Sequence, residues 1–214
     1  KLAELRPDLT FYSVANPEFL RQGSAVADFE NPDRIVLGVS DTSAEVVLRT
    51  VFAPFIDAGV PTLVTTLETS ELIKYAANAF LATKLSFINE IADLCEASGA
   101  EVEEVTRGLG LDRRIGPAFL RPGPGFGGAC LPKDTRALLH THREFGTGSR
   151  IVGAALAVNE SRIHSMVEKV EEAVGTPLSG LRIGVLGITF KADTDDVRES
   201  PAIDIVNELV EVGC

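Results

Sequence analysis

Between residues 68 and 98 the chain holds neither proline nor glycine, and this one stretch constrains the fold more than any other. At 1.5 Å rise per residue a helix of that length is a rod of roughly 45 Å. Thr65 and Glu68 have the spacing of a capping box at its start, and Gly99 stands where a helix stops. Within residues 72–82 (LIKYAANAFLA) the polar side chains are Lys74 and Asn78, beside the Tyr75 hydroxyl. This part is apolar all round and is expected to be buried. Lys74 and Asn78 are four residues apart and share one face. An unpaired buried ammonium is prohibitive, so Lys74 needs a carboxylate, a ligand or water. A cation beside an amide could stabilise a developing oxyanion and hold the water that takes its proton. The alternative for both is a solvated helix face.

The segments before the rod read as α/β. Residues 10–15 (TFYSVA), 34–39 (RIVLGV) and 60–66 (VPTLVTT) have strand character, and residues 43–58 are helical in period with a break at Pro54. Strand, strand, helix, strand suggests the closing part of an α/β domain. Beyond the rod come a short helix near residues 101–107, a helix from Pro132 towards Arg143, and a long one over residues 149–174. Residues 176–180 (TPLSG) read as a linker. After them a strand at 181–186 (LRIGVL), a polar loop at 187–200 and a helix from Pro201 capped by Ser200 make half of a βαβ unit.

Residues 122–134, PGPGFGGACLPKD, carry four glycines in six residues: Gly123, Gly125, Gly127 and Gly128. Such a loop lets backbone approach a ligand closely. Pro132 suits a first helical turn, which places Cys130 at a helix N-terminus, where free N–H groups favour a thiolate. Lys133 adds positive charge. The plain alternative is a cysteine that fits where space is tight. His140, His142 and His164 have no spacing that nominates a partner for it, so a Cys-His hydrolase is poorly supported.

The bulk properties exclude several classes. A net charge of −11 and pI near 4.8 argue against a nucleic-acid interface. No apolar run approaches the roughly 20 residues that span a bilayer, and KLAELRPDLT lacks the apolar region of a signal peptide. The three cysteines form neither a C-x-x-C nor a paired framework, so no metal site or disulfide scaffold is expected and a cytoplasmic setting fits. The chain does not begin with Met and ends on Gly213-Cys214 just after a helical stretch, so it reads as a fragment.

Four segments, NPEFLRQG, ELIKYAANAFLATKLSFINEIA, RIGPAFLRPGPGFGGACLPKD and GITFKADTDDVRESPA, resemble in order and spacing the UDP-glucose/GDP-mannose 6-dehydrogenase family. The resemblance implies a nucleotide sugar oxidised twice at C6 with NAD as cofactor. It implies Cys130 as the nucleophile that forms a thiohemiacetal and then a thioester, Lys74 and Asn78 as oxyanion stabilisers, Asp134 as the carboxylate handling protons and water, and Glu18 as a base for thioester hydrolysis. Phe19, Leu20 and Arg21 would line the sugar site through their backbone. Arg114 would reach a neighbouring subunit's substrate, and Phe119, Phe126, Gly127 and Lys191 would contact the nucleotide sugar. Lys133 and Arg198 would meet the cofactor, with Gln22 beside them; Gln22 stands where many relatives carry a second glutamate, so only hydrogen bonding remains there.

The expected fold is therefore α/β pieces flanking a central all-helical dimerisation domain, with truncated Rossmann-like units at both ends. Residues 1–66 would be the C-terminal part of an NAD-binding domain, 67–176 the central helical domain, and 177–214 the start of a nucleotide-sugar domain. The central helix would form a homodimer. UDP-glucose is the first choice of substrate, with GDP-mannose or a UDP-N-acetylhexosamine as alternatives. The half carrying the family's glycine fingerprint is missing, so the chain alone is not expected to turn over NAD. A non-catalytic helical assembly module and a thiol acyltransferase are the competing readings.

Overall fold

The computed structural model describes residues 2–214, and the described chain divides into two units that meet at Ala76/Ala77 within one helix. The first unit contains α1 (Leu2–Leu5), β1 (Val14–Ala15), α2 (Ala25–Glu30), β2 (Ile35–Val39), α3 (Thr42–Val51), α4 (Ala53–Asp57), β3 (Thr62–Thr65) and the start of α5 (Leu67–Ser98). Its sheet has the order β1-β2-β3. β2 pairs antiparallel with β1 and parallel with β3. Ile35, Val36 and Leu37 are buried, which is why this strand is an unbroken apolar run. A Cβ on Gly38 would stand 2.5 Å from that of Ser70 and 3.0 Å from that of Ala15, so glycine lets the start of α5 seat here. Ser70 Oγ then donates to Ala15 O at 2.9 Å.

Sequence reading is corrected at two points in this unit. The expected strand over residues 10–15 shrinks to Val14–Ala15. The cap of α5 is Thr66, one residue later than expected: its Oγ1 accepts from Thr69 N at 3.2 Å, the N-cap to third-residue geometry.

The second unit is helical. It holds the rest of α5, α6 (Val102–Leu111), α7 (Leu131–Glu144), α8 (Arg150–Val174) and α9 (Pro201–Glu211). At the end of α5, Gly99 has φ +74° and Ala100 N donates to Cys95 O at 3.0 Å, the Schellman closure expected of a glycine stop. One core joins Ala82, Phe126 and Leu156. A second joins Val167 of α8, Leu178 and Leu209 of α9, so the presumed linker at 176–180 is packed down by Leu178.

Two further expectations change. Residues 181–186 form no strand, and no Rossmann-like sheet stands at this end; a strand needs a neighbour for its N–H and C=O groups, and the unit offers none among the described residues. The all-round apolar part of α5 is buried on one side only. Ala79 and Ala82 are buried, while Leu72 and Phe80 are 54% and 66% exposed; further along α5, Phe87 and Leu94, which continue from Phe80 at a spacing of seven, are 49% and 62% exposed.

Candidate active site

The candidate chemistry of the second unit gathers at the start of α7. Cys130 is the N-cap of that helix; its thiol is exposed and makes no capping hydrogen bond. Pro132 occupies the first turn as expected, and Asp134 N closes the first helical turn onto Cys130 O at 2.9 Å. The Asp134 side chain, one turn on, is 3% exposed and has donors on both oxygens. Asn78 Nδ2 of α5 reaches Oδ2 at 2.6 Å, and the Lys133 ammonium pairs with Oδ1. The structure thus brings Asn78 and Asp134 together, and the exposed Cys130 stands one helical turn before that fixed, buried carboxylate in the chain.

The glycine loop before Cys130 is filled by protein. A Cβ on Gly127 would lie 2.0 Å from Glu199 O, and one on Gly128 2.7 Å from the Phe190 ring. Gly128 N also donates to Arg198 O at 3.0 Å. Gly123, Gly125 and Gly128 match the letters G-x-G-x-x-G, but no strand leads into them and the space they open is taken. Phe126 is buried, so its side chain serves the core.

Three residues that sequence reading passed over, Asn89, Asn159 and Arg162, hold this loop, with Asp93 behind Arg162. Asn159 accepts from Phe126 N at 2.7 Å and donates to Phe126 O at 3.0 Å. Asn89 Oδ1 accepts from Gly123 N at 2.8 Å, and Arg162 Nε donates to Gly123 O at 3.1 Å while its Nη1 binds both oxygens of Asp93. Asn89 and Asp93 sit four apart on α5, Asn159 and Arg162 three apart on α8. The argument applied to Lys74, that a polar group on a buried helix face needs a partner, would have found them.

In the first unit Lys74 meets a carboxylate, one of the three partners expected for it. Its Nζ donates to Glu18 O at 2.6 Å and pairs with Glu18 Oε1 at 3.1 Å. Glu18 Oε2 accepts from Leu20 N at 2.7 Å. Phe19 lies under the Arg34 guanidinium, 3.7 Å from the ring centroid, with Lys74 Nζ at 5.5 Å. Arg21 spends both its backbone N–H and its guanidinium on Asp28, whose carboxyl is held far below the usual range by those hydrogen bonds, the side-chain bonds foremost. Two of the N–H groups in the stretch 19–21 are therefore consumed internally. Gln22 is exposed. A shallow pocket of about 300 Å³ between Arg34, Val36, Thr62 and Ile73 contains none of the candidate residues.

The remaining candidates lie on loops of the second unit. Arg114 is 89% exposed and paired with Asp112, which raises the Arg114 pKa and lowers that of Asp112. Phe119 has φ +61°, a strained conformation for a bulky side chain. Lys191 Nζ is 5.8 Å from the Phe190 ring. Arg198 binds Asp196 through two nitrogens; that hydrogen bonding raises its pKa, and Cys130 adds a smaller Coulombic contribution. His140, His142 and His164 face Glu144, Thr147 and Glu208. Among the described residues no cluster of three His, Cys, Asp or Glu could hold a metal, and no helix is long and apolar enough to cross a membrane.

Three models of one family match the chain in succession. They are the UDP-glucose/GDP-mannose dehydrogenase family NAD binding domain over residues 1–56, its central domain over 68–161 and its UDP binding domain over 184–214. A UDP-glucose 6-dehydrogenase of Rhizobium meliloti is 52% identical over 99% of this chain and 49% of its own length. The solved structure of a UDP-glucose dehydrogenase from Pyrobaculum islandicum superposes with a TM-score of 0.93 at 42% identity, over all of this chain and 48% of the other. A UDP-D-ManNAc dehydrogenase from Pyrococcus horikoshii gives 0.85 at 25% identity, over 99% and 50%. The chain spans about half the length of the curated relatives it matches.

Proposed function

We propose, since this chain belongs to the UDP-glucose/GDP-mannose dehydrogenase family, that the longer protein it represents is an NAD-dependent nucleotide-sugar 6-dehydrogenase converting UDP-glucose to UDP-glucuronate. Residues 1–66 are the end of its cofactor domain, 67–176 its central domain and 177–214 the opening of its sugar-nucleotide domain. One observation carries the reading: an exposed thiol at the N-terminus of α7, one turn before a buried carboxylate that Asn78 holds.

In this mechanism the Cys130 thiolate adds to the C6 aldehyde and forms a thiohemiacetal, whose oxidation leaves a thioester that water cleaves to the acid. Asn78 and Lys74 carry the oxyanion charge, and Asp134 orients the water and moves its proton. Glu18, paired with Lys74 and with its side chain 55% exposed, is the base for hydrolysis. With Leu20 N and Arg21 N engaged and Arg21 O already accepting from Ser24 N, the stretch 19–21 meets sugar hydroxyls through the carbonyls of Phe19 and Leu20 and the second lone pair of Arg21 O. Phe126 and Gly127 act by shaping the loop, and Phe119, Lys191 and the partner-directed Arg114 recognise the nucleotide.

Lys133 and Arg198 keep their side chains 65% and 66% exposed while paired to carboxylates, so both fit contacts to a diphosphate, with Gln22 as a hydrogen-bonding neighbour of the cofactor. NAD, when bound, supplies hydride acceptance at each oxidation. The exposed seam of Phe80, Phe87 and Leu94 supports a homodimer through α5, since an apolar stripe at heptad spacing is what a second helix covers. Three free thiols fit a reducing cytoplasm. The test is an NAD-coupled assay of the full-length protein with UDP-glucose, GDP-mannose and UDP-N-acetylhexosamines. Two NADH per UDP-glucose are expected; a different preferred sugar overturns the substrate, and no NADH with any of them overturns the reaction.

A further inference from the structure

We infer that Asn159 and Arg162 of α8, backed by Asn89 and Asp93 of α5, form a clamp that sets the position of Cys130, and so act as positioning residues for the aldehyde-oxidising half of the proposed reaction. The inference rests on that reading for its kinetic part only. Three of these side chains take hold of the loop at two fixed points, and Asp93 holds Arg162. At Gly123 the N–H is bound by Asn89 and the C=O by Arg162; at Phe126 both backbone groups are bound by the single amide of Asn159. Arg162 is itself immobilised, 5% exposed and bidentate to Asp93, which Lys169 also holds at 2.7 Å.

Between Phe126 and Cys130 lie three residues, of which Gly127 and Gly128 are wedged against Glu199 and Phe190. A short loop pinned at both ends and packed along its length transmits a shift at Phe126 to the thiol. None of the four clamp residues is hydrogen-bonded to Asp134, so they can alter the thiol's place without removing the groups proposed to act on the substrate. Misplacement by about 1 Å is enough to slow a reaction of this kind on the order of 100-fold. Cys130 enters only after the aldehyde exists, so the two oxidations respond unequally.

The experiment uses full-length enzyme with Asn159→Ala, Arg162→Met and the conservative Arg162→Lys. Alcohol and aldehyde oxidation are followed separately in single turnovers, alongside thermal unfolding and the rate at which iodoacetamide alkylates Cys130. Aldehyde oxidation is expected to fall roughly 10- to 100-fold. Alcohol oxidation and the KM for the nucleotide sugar should stay within about threefold, and Arg162→Lys should restore part of the loss. Loosening the loop releases Cys130 from its set place at the head of α7, so its alkylation rate at a fixed pH should change at least about threefold. Equal losses in both oxidations, or an unchanged alkylation rate in folded Asn159→Ala, overturn the clamp. If the wild type oxidises no nucleotide sugar, the proposed reaction fails, while the alkylation comparison still decides the clamp.

Discussion

The loop at residues 122–130 and the stretch at 181–188 both mix glycines with apolar residues, and neither enters a helix or strand, yet they are held in opposite ways. The loop has its backbone groups taken by Asn89, Asn159 and Arg162, and its glycine faces filled by Glu199 and Phe190. The stretch has far better strand composition. It packs Leu181 and Ile183 onto the α8–α9 core but leaves Leu186 99% exposed. Irregular backbone becomes fixed when side chains satisfy it, and β-prone backbone stays irregular when no second strand does.

The sharpest way to break this contrast is Gly127→Ala. The added Cβ would meet Glu199 O, a backbone atom that cannot swing aside, so the chain should lose about 3 kcal/mol, read by urea denaturation. A loss below about 1 kcal/mol would mean that the loop yields and is not held.

A smaller effect is expected where the loop runs into α7. Asn78→Ala strips a donor from the buried Asp134 and leaves Lys133 as its remaining named partner, so a loss of about 2 kcal/mol is expected by the same measurement. No loss would show that Asp134 finds water in place of the amide.

The smallest effect belongs to the unheld stretch. Leu186→Lys should change stability by no more than about 0.5 kcal/mol, because the side chain is already in solvent. A large loss there would mean that Leu186 is covered, and the contrast would fail.

These differences also mark what could be read from residues alone. α5 was legible because nothing interrupts it and Gly99 closes it, and β2 because burial on both faces leaves an unbroken apolar run. Residues 181–186 were misread because strand propensity describes one chain, whereas a ladder requires two. At the glycine loop the requirement for close approach was legible but its object was not: the approaching groups are Glu199, 72 residues after Gly127, and Phe190, 62 residues after Gly128. The demand of Lys74 for a carboxylate, a ligand or water followed from its neighbours on α5, and Glu18, 56 residues away, satisfies it. The same demand applied to Asn159 and Arg162 would have exposed the clamp. Their partners, however, are largely backbone atoms of a loop, which side-chain patterns do not reveal.

The proposed chemistry turns on the exposed thiol at the head of α7, and Cys130→Ser in the full-length protein tests it most directly. Serine keeps the size and the helix N-cap, so the nucleotide sugar should still bind in equilibrium dialysis while formation of the sugar acid is lost. Sugar acid formed at the wild-type rate, with two NADH per sugar, would contradict the account.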